Sequence, residues 1–517
     1  MEKQENTIGQ KYDHIVIGAG SAGCILTRRL LDAGKKVLLI EAGPIDNKPE
    51  IHDPMGSIAL WNSDVDWAFE TEPQKFANNR RLPFPRGKTL GGSSSFNGMI
   101  YVRGAKQDFD TWAYLGNHGW DYESVKNNFK RFEQFIPEED AINKDELGTK
   151  GDLPITLNPQ PTDITKAFIA DAIDLGIPYN PNYNDGNEMF GAYHTWLTLK
   201  DNKRMSSWVA FLEPLKNHPN LTVLVNANVT RVVFSGETAV GVAYTIDSSE
   251  YEEQAYAKDD IILSAGSINT PKILMLSGIG DQEHLKEVGI SSKVHLPGVG
   301  QNLQDHINVP HVWETHENIP LSKAQGLEGT FFWKTKPDMK VPDMQPILIT
   351  FPYPMEKSPE NGFTIVSTLL HPQSRGIIKL KSNNPNDKPI IDPRFLEDPD
   401  DLNALVLQTL FLRKLVTGKQ MGSLIKKEFS PGAEVDSIED LENFIKAHAV
   451  SDHHQVGTAK MGVDKMAVVD PRLKVYGVKN LRVADGSIMP MINTGNTNAA
   501  CIMIGDRAAD FILNSEI

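Results

Sequence analysis

Residues 12–17, YDHIVI, end in an unbroken apolar run, the pattern of a short strand buried on both faces. The next apolar segment has a different period. In SAGCILTRRLLDAGK (21–35), Ile25, Leu26 and Leu30 share one face of a helix, and Arg28 and Arg29 are expected to point away. KVLLIE (36–41) returns to a continuous apolar run, a second strand that ends on Glu41. LTVLVNANVTRVVF (221–234) reads as a further strand pair. A helix is expected over about 498–513, with Ile502, Met503, Phe511 and Ile512 as its apolar positions. Polar, turn-rich passages fall at 136–163, 335–362 and 382–401, and proline density excludes long helices from the second.

Between the first strand and the first helix stands GAGSAG, with Gly18, Gly20 and Gly23. Strand, glycine turn, helix and strand together are the context of a dinucleotide fingerprint. Gly18 permits the tight turn, Gly20 lets the backbone approach a pyrophosphate, and Gly23 lets the helix pack on the strand. The pyrophosphate would sit at the helix amino terminus, over free N–H groups and the positive end of the dipole. Glu41, eighteen residues beyond Gly23, is placed to accept bonds from ribose hydroxyls, and its charge disfavours NADP. The fingerprint does not separate NAD from FAD.

Composition narrows the classes. The chain has 517 residues, 40% apolar and 23% charged, and 67 acidic against 52 basic residues give a net charge of −15. That balance speaks against nucleic-acid binding. Only Cys24 and Cys501 occur, so a disulfide framework is excluded and a reducing compartment is expected. The first ten residues are polar, unlike a signal peptide, and no apolar run approaches the roughly 20 residues of a membrane span. A cytoplasmic protein without a membrane span is expected.

Residues 86–104, RGKTLGGSSSFNGMIYVRG, hold five glycines and three serines. They suit a loop whose backbone presses against a ligand, tied down by MIYV and Trp112. From Gly87 to Asp110 this stretch resembles the first signature of the glucose–methanol–choline (GMC) oxidoreductases, and GSINTPKILMLSGIG (266–280) resembles the second. LPGVGQNLQDH (296–306) and LRVADGSIMP (481–490) are also family-like. The resemblance runs from residue 12 to about 513. It implies an α/β chain, α+β overall, with a discontinuous Rossmann-like FAD-binding domain (1–160, 206–310 and 456–517). A substrate domain (161–205 and 311–455) would be a large, mostly antiparallel sheet backed by helices. The implied FAD contacts are Gly18, Gly20, Ser21, Ala22, Gly23, Glu41 and Ala42 in the nucleotide turn. The first signature would add Arg86, Gly91, Gly92, Ser93, Asn97, Gly98 and Met99. Val229, Ala265, Gly266, His453, Asp485, Gly486 and Thr497 complete the set.

The resemblance also assigns roles in HHQVGTAKMG (453–462) and NTGNTN (493–498). His454 takes the place of the family's flavin-facing histidine, with Gln455 where proline is usual. His453 is expected to pack or hydrogen-bond. Asn496 fills the second catalytic position, followed by Thr497 instead of proline. The implied reaction is FAD-dependent oxidation of an alcohol, primary by expectation, to an aldehyde or ketone. A neutral histidine, with an ordinary pKa of about 6.5, accepts the hydroxyl proton, and the hydride passes to flavin N5. Asn496 would hold the same oxygen, and oxygen, a quinone or another acceptor would take the electrons. A non-redox lyase of the hydroxynitrile type is the alternative.

Other readings of the histidines are weaker. No His-Glu-x-x-His or cysteine cluster is present, so no metal is expected. His306, His311 and His316 recur every five residues, wrong for one helical face, and are read as structural or surface groups. Phe96 occupies the position at which some family members attach FAD to a histidine, so non-covalent FAD is expected. The family's fatty-acid photodecarboxylase branch relies on a substrate-domain cysteine, and no cysteine lies between Cys24 and Cys501, so the resemblance does not extend to that activity. Glu328, in GLEGTFFW, is read as a solvated charge in preference to a contact for a cationic head group. The oligomeric state is not legible.

Overall fold

In the computed structural model, residues 11–136, 143, 145–158, 160–247, 249, 251–320, 322, 324–355 and 357–514 are described. The ten residues expected not to form a signal peptide lie outside the described residues. His14–Ile17 and Val37–Ile40 are buried along their whole length. They lie side by side in a five-stranded sheet ordered Leu221–Leu224, Val37–Ile40, His14–Ile17, Ile261–Leu263, Leu481–Val483, parallel at every pairing. Burial on both faces is why these strands read as continuous apolar runs rather than alternations.

The expected first helix is Ser21–Asp32, and the expected last one is Asn498–Leu513. They meet backbone to backbone, since a Cβ on Gly505 would fall 2.3 Å from the carbonyl oxygen of Ala22. One expectation is corrected here. Arg29 does not point away but crosses this junction, its guanidinium 2.5 Å from Asp506 and 2.8 Å from Asp510. Arg131 and Asn128 reach the other oxygen of Asp506, whose burial pushes its pKa up to about 7. An arginine beside an apolar stripe has a long stem that covers apolar surface while its head finds a partner.

The second large sheet has seven strands, antiparallel at every pairing. Its order is Ile425–Ser430, Ile307–Thr315, Gly362–Leu369, Met344–Ile349, Leu327–Phe332, Gly191–His194, with Val450–Ser451 also paired to Ile307–Thr315. The boundary expected at 310/311 falls inside one of its strands. Met344–Ile349 lies within the proline-dense passage, which holds no helix among the described residues. One face packs on the helices Asp163–Asp174 and Pro399–Val416: Trp313, Phe331, Leu348, Phe363 and Ile365 share a core with Phe168, Leu412 and Leu415. The opposite face carries Ile347, Ile349 and Val366 into the main core and toward the parallel sheet. Among the described residues no helix is long and apolar enough to cross a membrane.

Candidate active site

A cavity of about 470 Å³ lies between the two sheets. Its floor is the glycine turn. Gly18 has φ +100°, and a Cβ there would fall 2.4 Å from the carbonyl oxygen of Ser264, so the turn is pressed on the neighbouring strand. A Cβ on Gly92 would fall 2.8 Å from Cα of Gly20, so the glycine turn and the first signature loop touch through bare backbone. A Cβ on Gly20 itself would come no closer than 3.9 Å to another residue, on the cavity side. The first helix opens here with no acidic residue in its first turn. Ser21 Oγ donates to Asn498 Oδ1 at 2.6 Å and ties together the amino termini of both helices. Glu41 is buried, accepts the N–H groups of Ala19 and Gly43 at 2.9 Å each, and burial pushes its pKa up to about 7.

Most of the expected nucleotide contacts line this cavity: Gly18, Gly20, Ser21, Ala22, Glu41, Ala42, Arg86, Gly92, Ser93, Asn97, Gly98, Met99, Val229, Ala265, Gly266, Asp485, Gly486 and Thr497. Two do not. A Cβ on Gly23 would fall 2.0 Å from the carbonyl oxygen of Gly18, so its place is the helix–strand junction. Gly91, at φ +88°, donates its N–H to the carbonyl of Ala19 and makes the loop's turn beneath the lining. Bare Cα groups at a helix start, a carboxylate at the second strand's end and Asp485 bonded to the Gly266 N–H at 2.9 Å fit a dinucleotide such as FAD.

The signature loop is clamped by a residue that sequence reasoning missed. Arg204, fully buried, donates to Asn97 through its carbonyl oxygen (2.5 Å) and Oδ1 (2.8 Å), and to the carbonyl of Ile51 (2.8 Å). Burial pushes its pKa down to about 10. Asn97 Oδ1 also accepts from Met99 N–H, which holds Met99 at φ +62°. Phe96, buried, lines the cavity beside them. Arg86 reaches across to donate to the carbonyl of His453 at 2.5 Å. His453 packs edge-on against Trp61 at 5.2 Å, and burial, then the Arg86 charge, pushes its pKa down to about 3.

His454 and Asn496, expected to act together, are brought together. Asn496 Nδ2 lies 3.3 Å from His454 Nε2, and both residues line the cavity. The other nitrogen, Nδ1, is 3.1 Å from Asp452 Oδ2 and 3.0 Å from His306 Nδ1. Gln345 donates to Asn496 Oδ1 at 3.4 Å, which turns the Asn496 NH₂ toward His454. An N–H aimed at Nε2 leaves that nitrogen as the acceptor and places the ring proton on Nδ1, beside Asp452 and His306. Below the ring, the backbone N–H of His454 donates to Asp305 at 2.7 Å, and Gln455 binds the same carboxylate at 2.8 Å. Burial pushes Asp305 up to about 6.

Two GMC oxidoreductase family models match this chain, the amino-terminal one over residues 12–308 and the carboxy-terminal one over residues 372–505. The chain belongs to the GMC oxidoreductases. It is 38% identical to an alcohol dehydrogenase [acceptor] of Pseudomonas putida, over 97% of this chain and 96% of that protein. It is 35% identical to the mitochondrial choline dehydrogenase of Mus musculus, over 97% and 89% of the two chains. Among solved structures, pyridoxine 4-oxidase from Mesorbium loti superposes with a TM-score of 0.90 at 29% identity, covering 97% of this chain and 99% of that one. This GMC oxidoreductase is an FAD-dependent flavoprotein enzyme that oxidises an alcohol.

One reading of a single residue in this GMC oxidoreductase needs correction. Glu328 is not solvated. It is 1% exposed and accepts from Asn158 Nδ2 (2.7 Å), Ser322 Oγ (2.6 Å), Thr165 Oγ1 (2.7 Å) and both N–H and Oγ1 of Thr162 (2.9 and 2.6 Å). Of the histidines read as structural or surface groups, His306 is a structural one. It is wholly buried against His454, and burial, then the neighbouring His454, holds its pKa well below the usual imidazole range. His306, Asp452 and His454 have ligand-type atoms within 4.8 Å of one another, a grouping hidden from any spacing rule because His306 is 148 residues from His454. His311 is buried and bonded to Thr409 Oγ1, and His316 is exposed.

Proposed function

We propose that His454 is the base that takes the hydroxyl proton of the alcohol and that Asn496 holds the same oxygen. The observation that supports this most is the 3.3 Å approach of Asn496 Nδ2 to His454 Nε2 at the cavity wall. With the ring proton on Nδ1, Nε2 offers a lone pair to a substrate hydroxyl placed beside the Asn496 NH₂. As Nε2 gains the proton, positive charge develops on the ring, and Asp452 at 3.1 Å from Nδ1 stabilises it. His306, kept neutral by burial, accepts from Nδ1 and fixes the ring plane. FAD, when bound, would supply the acceptor for the hydride of the hydroxyl-bearing carbon.

The further assignments belong to the same reading. FAD is held non-covalently, since Phe96 offers no nucleophile on the cavity wall. The parallel sheet with 1–160, 206–306 and 456–517 forms a Rossmann-like FAD domain, and 161–205 with 307–455, which keeps the strand Ile307–Thr315 whole, form the substrate domain. No metal takes part at the catalytic pair, where His454 Nδ1 faces Asp452 and His306. The electron acceptor is oxygen, a quinone or a similar compound, and the two free cysteines support a reducing, cytoplasmic setting.

The test is anaerobic. The FAD-loaded protein is mixed with a panel of alcohols and the visible flavin band followed. One alcohol class bleaches the wild type, and His454→Ala slows that bleaching by about 10²- to 10⁴-fold while FAD content stays the same. Bleaching of the variant at the wild-type rate would remove His454 from the role. Readmitted air then distinguishes an oxidase from a dehydrogenase by how fast the colour returns.

A further inference from the structure

The cavity wall formed by the antiparallel sheet is sorted into rows by its register. Residues paired across antiparallel strands project from one face, as do residues two apart along a strand. Asn308 pairs with Thr368 and Thr368 with Gln345, and Gln345 reaches Asn496. Asn308 also donates to Asp452 at 2.7 Å, so this polar row braces the catalytic pair from behind. One step along lie Pro310, Val366 and Ile347, and a second step brings Val312, Thr364 and Ile349, with Leu327 opposite Ile349. Each step is about 6.7 Å, so two rows extend for about 13 Å from the catalytic pair.

Those two rows are apolar where they meet the cavity. Val366, Ile347, Ile349 and Leu327 line it, continued by Phe351 and Tyr353. Their threonines are already engaged: Thr330 donates to the carbonyl of Pro346, and Thr364 donates to Phe351 O while accepting from Tyr353 N–H. The carboxylates on the described cavity lining are Glu41, Asp452 and Asp485, each bonded within the nucleotide turn, the catalytic pair or the Gly266 helix. Glu328, next to Leu327 in sequence, leaves through the opposite face of the sheet at a register shift between Leu327 and Gly329. A cation moved into these rows would lose water and meet no carboxylate, and a polyol would leave hydroxyls unpaired.

We infer that the substrate is an alcohol with an uncharged, apolar tail, which the Val366–Ile347 and Ile349–Leu327 rows hold while its hydroxyl meets His454 and Asn496. The inference rests on the alcohol-oxidation reading and narrows it to a substrate class. Each methylene buried on these rows contributes about 0.8 kcal/mol, or about fourfold in the specificity constant.

The test uses the FAD-loaded enzyme without oxygen. The rate of flavin bleaching per unit concentration is measured for ethanol, 1-butanol, 1-hexanol and 1-octanol, for choline and for xylitol. The expected result is a rise of about fourfold per methylene through the series, with choline and xylitol below 1-hexanol by about a hundredfold or more. Ile349→Ala, checked for FAD content and circular dichroism, should lower the octanol-to-butanol ratio by about fourfold or more, the contribution of one or more lost methylene contacts. Choline or xylitol matching 1-hexanol, or a flat response to chain length, would overturn the inference and leave the alcohol chemistry standing. No bleaching by any of them, with flavin still reducible by dithionite, would overturn the alcohol reading and this inference with it.

Discussion

Glu328→Gln removes one charge and changes almost no volume, so it isolates what that carboxylate does. One oxygen of Glu328 accepts Asn158 Nδ2 and Ser322 Oγ, and the other accepts the N–H and Oγ1 of Thr162 and the Oγ1 of Thr165. The hydroxyls can rotate to accept a bond, but the Asn158 amide and the Thr162 N–H only donate where they stand. An NH₂ therefore opposes one N–H whichever way the new amide is turned. An unpaired buried donor costs about 1–3 kcal/mol, and neutralising the acceptor weakens the remaining bonds by about 1 kcal/mol more. Thr162 is the N-cap of the helix Asp163–Asp174 and makes no side-chain cap bond of its own, so the lost charge leaves Asp163 as the acidic group in that helix's first turn. The total is about 3 kcal/mol, undiminished by solvent because the side chain is 1% exposed. Unfolding entropy of about 2.1 cal/mol/K per residue makes this about 3 °C in Tm for a chain of 517 residues. The assay is thermal unfolding by circular dichroism at fixed excess FAD, paired with the choline-to-hexanol bleaching ratio. An unchanged Tm with an altered ratio would place the carboxylate in the substrate's path and refute the reasoning.

Other outcomes follow from the same geometry. Gln345→Leu removes the donor that orients Asn496 and should slow anaerobic bleaching by about two- to tenfold, the value of one neutral hydrogen bond, with FAD content unchanged; an unchanged rate would show that Asn496 needs no such brace. Glu41 titrates at about 7 without ligand, and ribose hydroxyls donating to it would favour its charged form. FAD binding then releases a proton below pH 7, so affinity should tighten by up to about tenfold per unit as pH rises toward 7 and level off above it. Flavin fluorescence titrations at a series of pH values check this, and a pH-independent Kd would contradict it. Chelation with EDTA should leave the bleaching rate as it was, because the hydrogen bond to His306 and the nearby Asp452 carboxylate already account for His454 Nδ1. A loss on chelation that added zinc restored would instead make His306, Asp452 and His454 a metal site.

What the sequence disclosed divides by distance along the chain. The glycine turn, its two strands and Glu41 occupy thirty residues, and each piece is fixed by its neighbours, so local pattern sufficed. The same holds for Asn498–Leu513, whose bounds match the expected helix. Arg29 failed because a helical wheel shows which side a residue leaves from and not what stands there; Asp506 and Asp510 are contributed by the far end of the chain. The contact of His306 with His454 was not legible for the same reason, since the two meet only when Ile307–Thr315 pairs with Val450–Ser451. Glu328 is the most instructive case. In LEGTFF strict alternation gives Leu327 and Gly329 one face and Glu328 with Thr330 the other. The register shift after Leu327 breaks that parity: Gly329 joins Glu328 against the helix, where its Cβ would stand 3.0 Å from Thr165 Cγ2, while Thr330 returns to the face of Leu327 and Ile347. Counted back from Thr330 on the wall, strict alternation would put Glu328 there too, so the extra residue turns that carboxylate to the helix side and leaves Leu327 on the wall. Alternation alone places every residue beyond such a bulge on the wrong face, so the property that selects the substrate depends on a feature that period-two patterning does not encode.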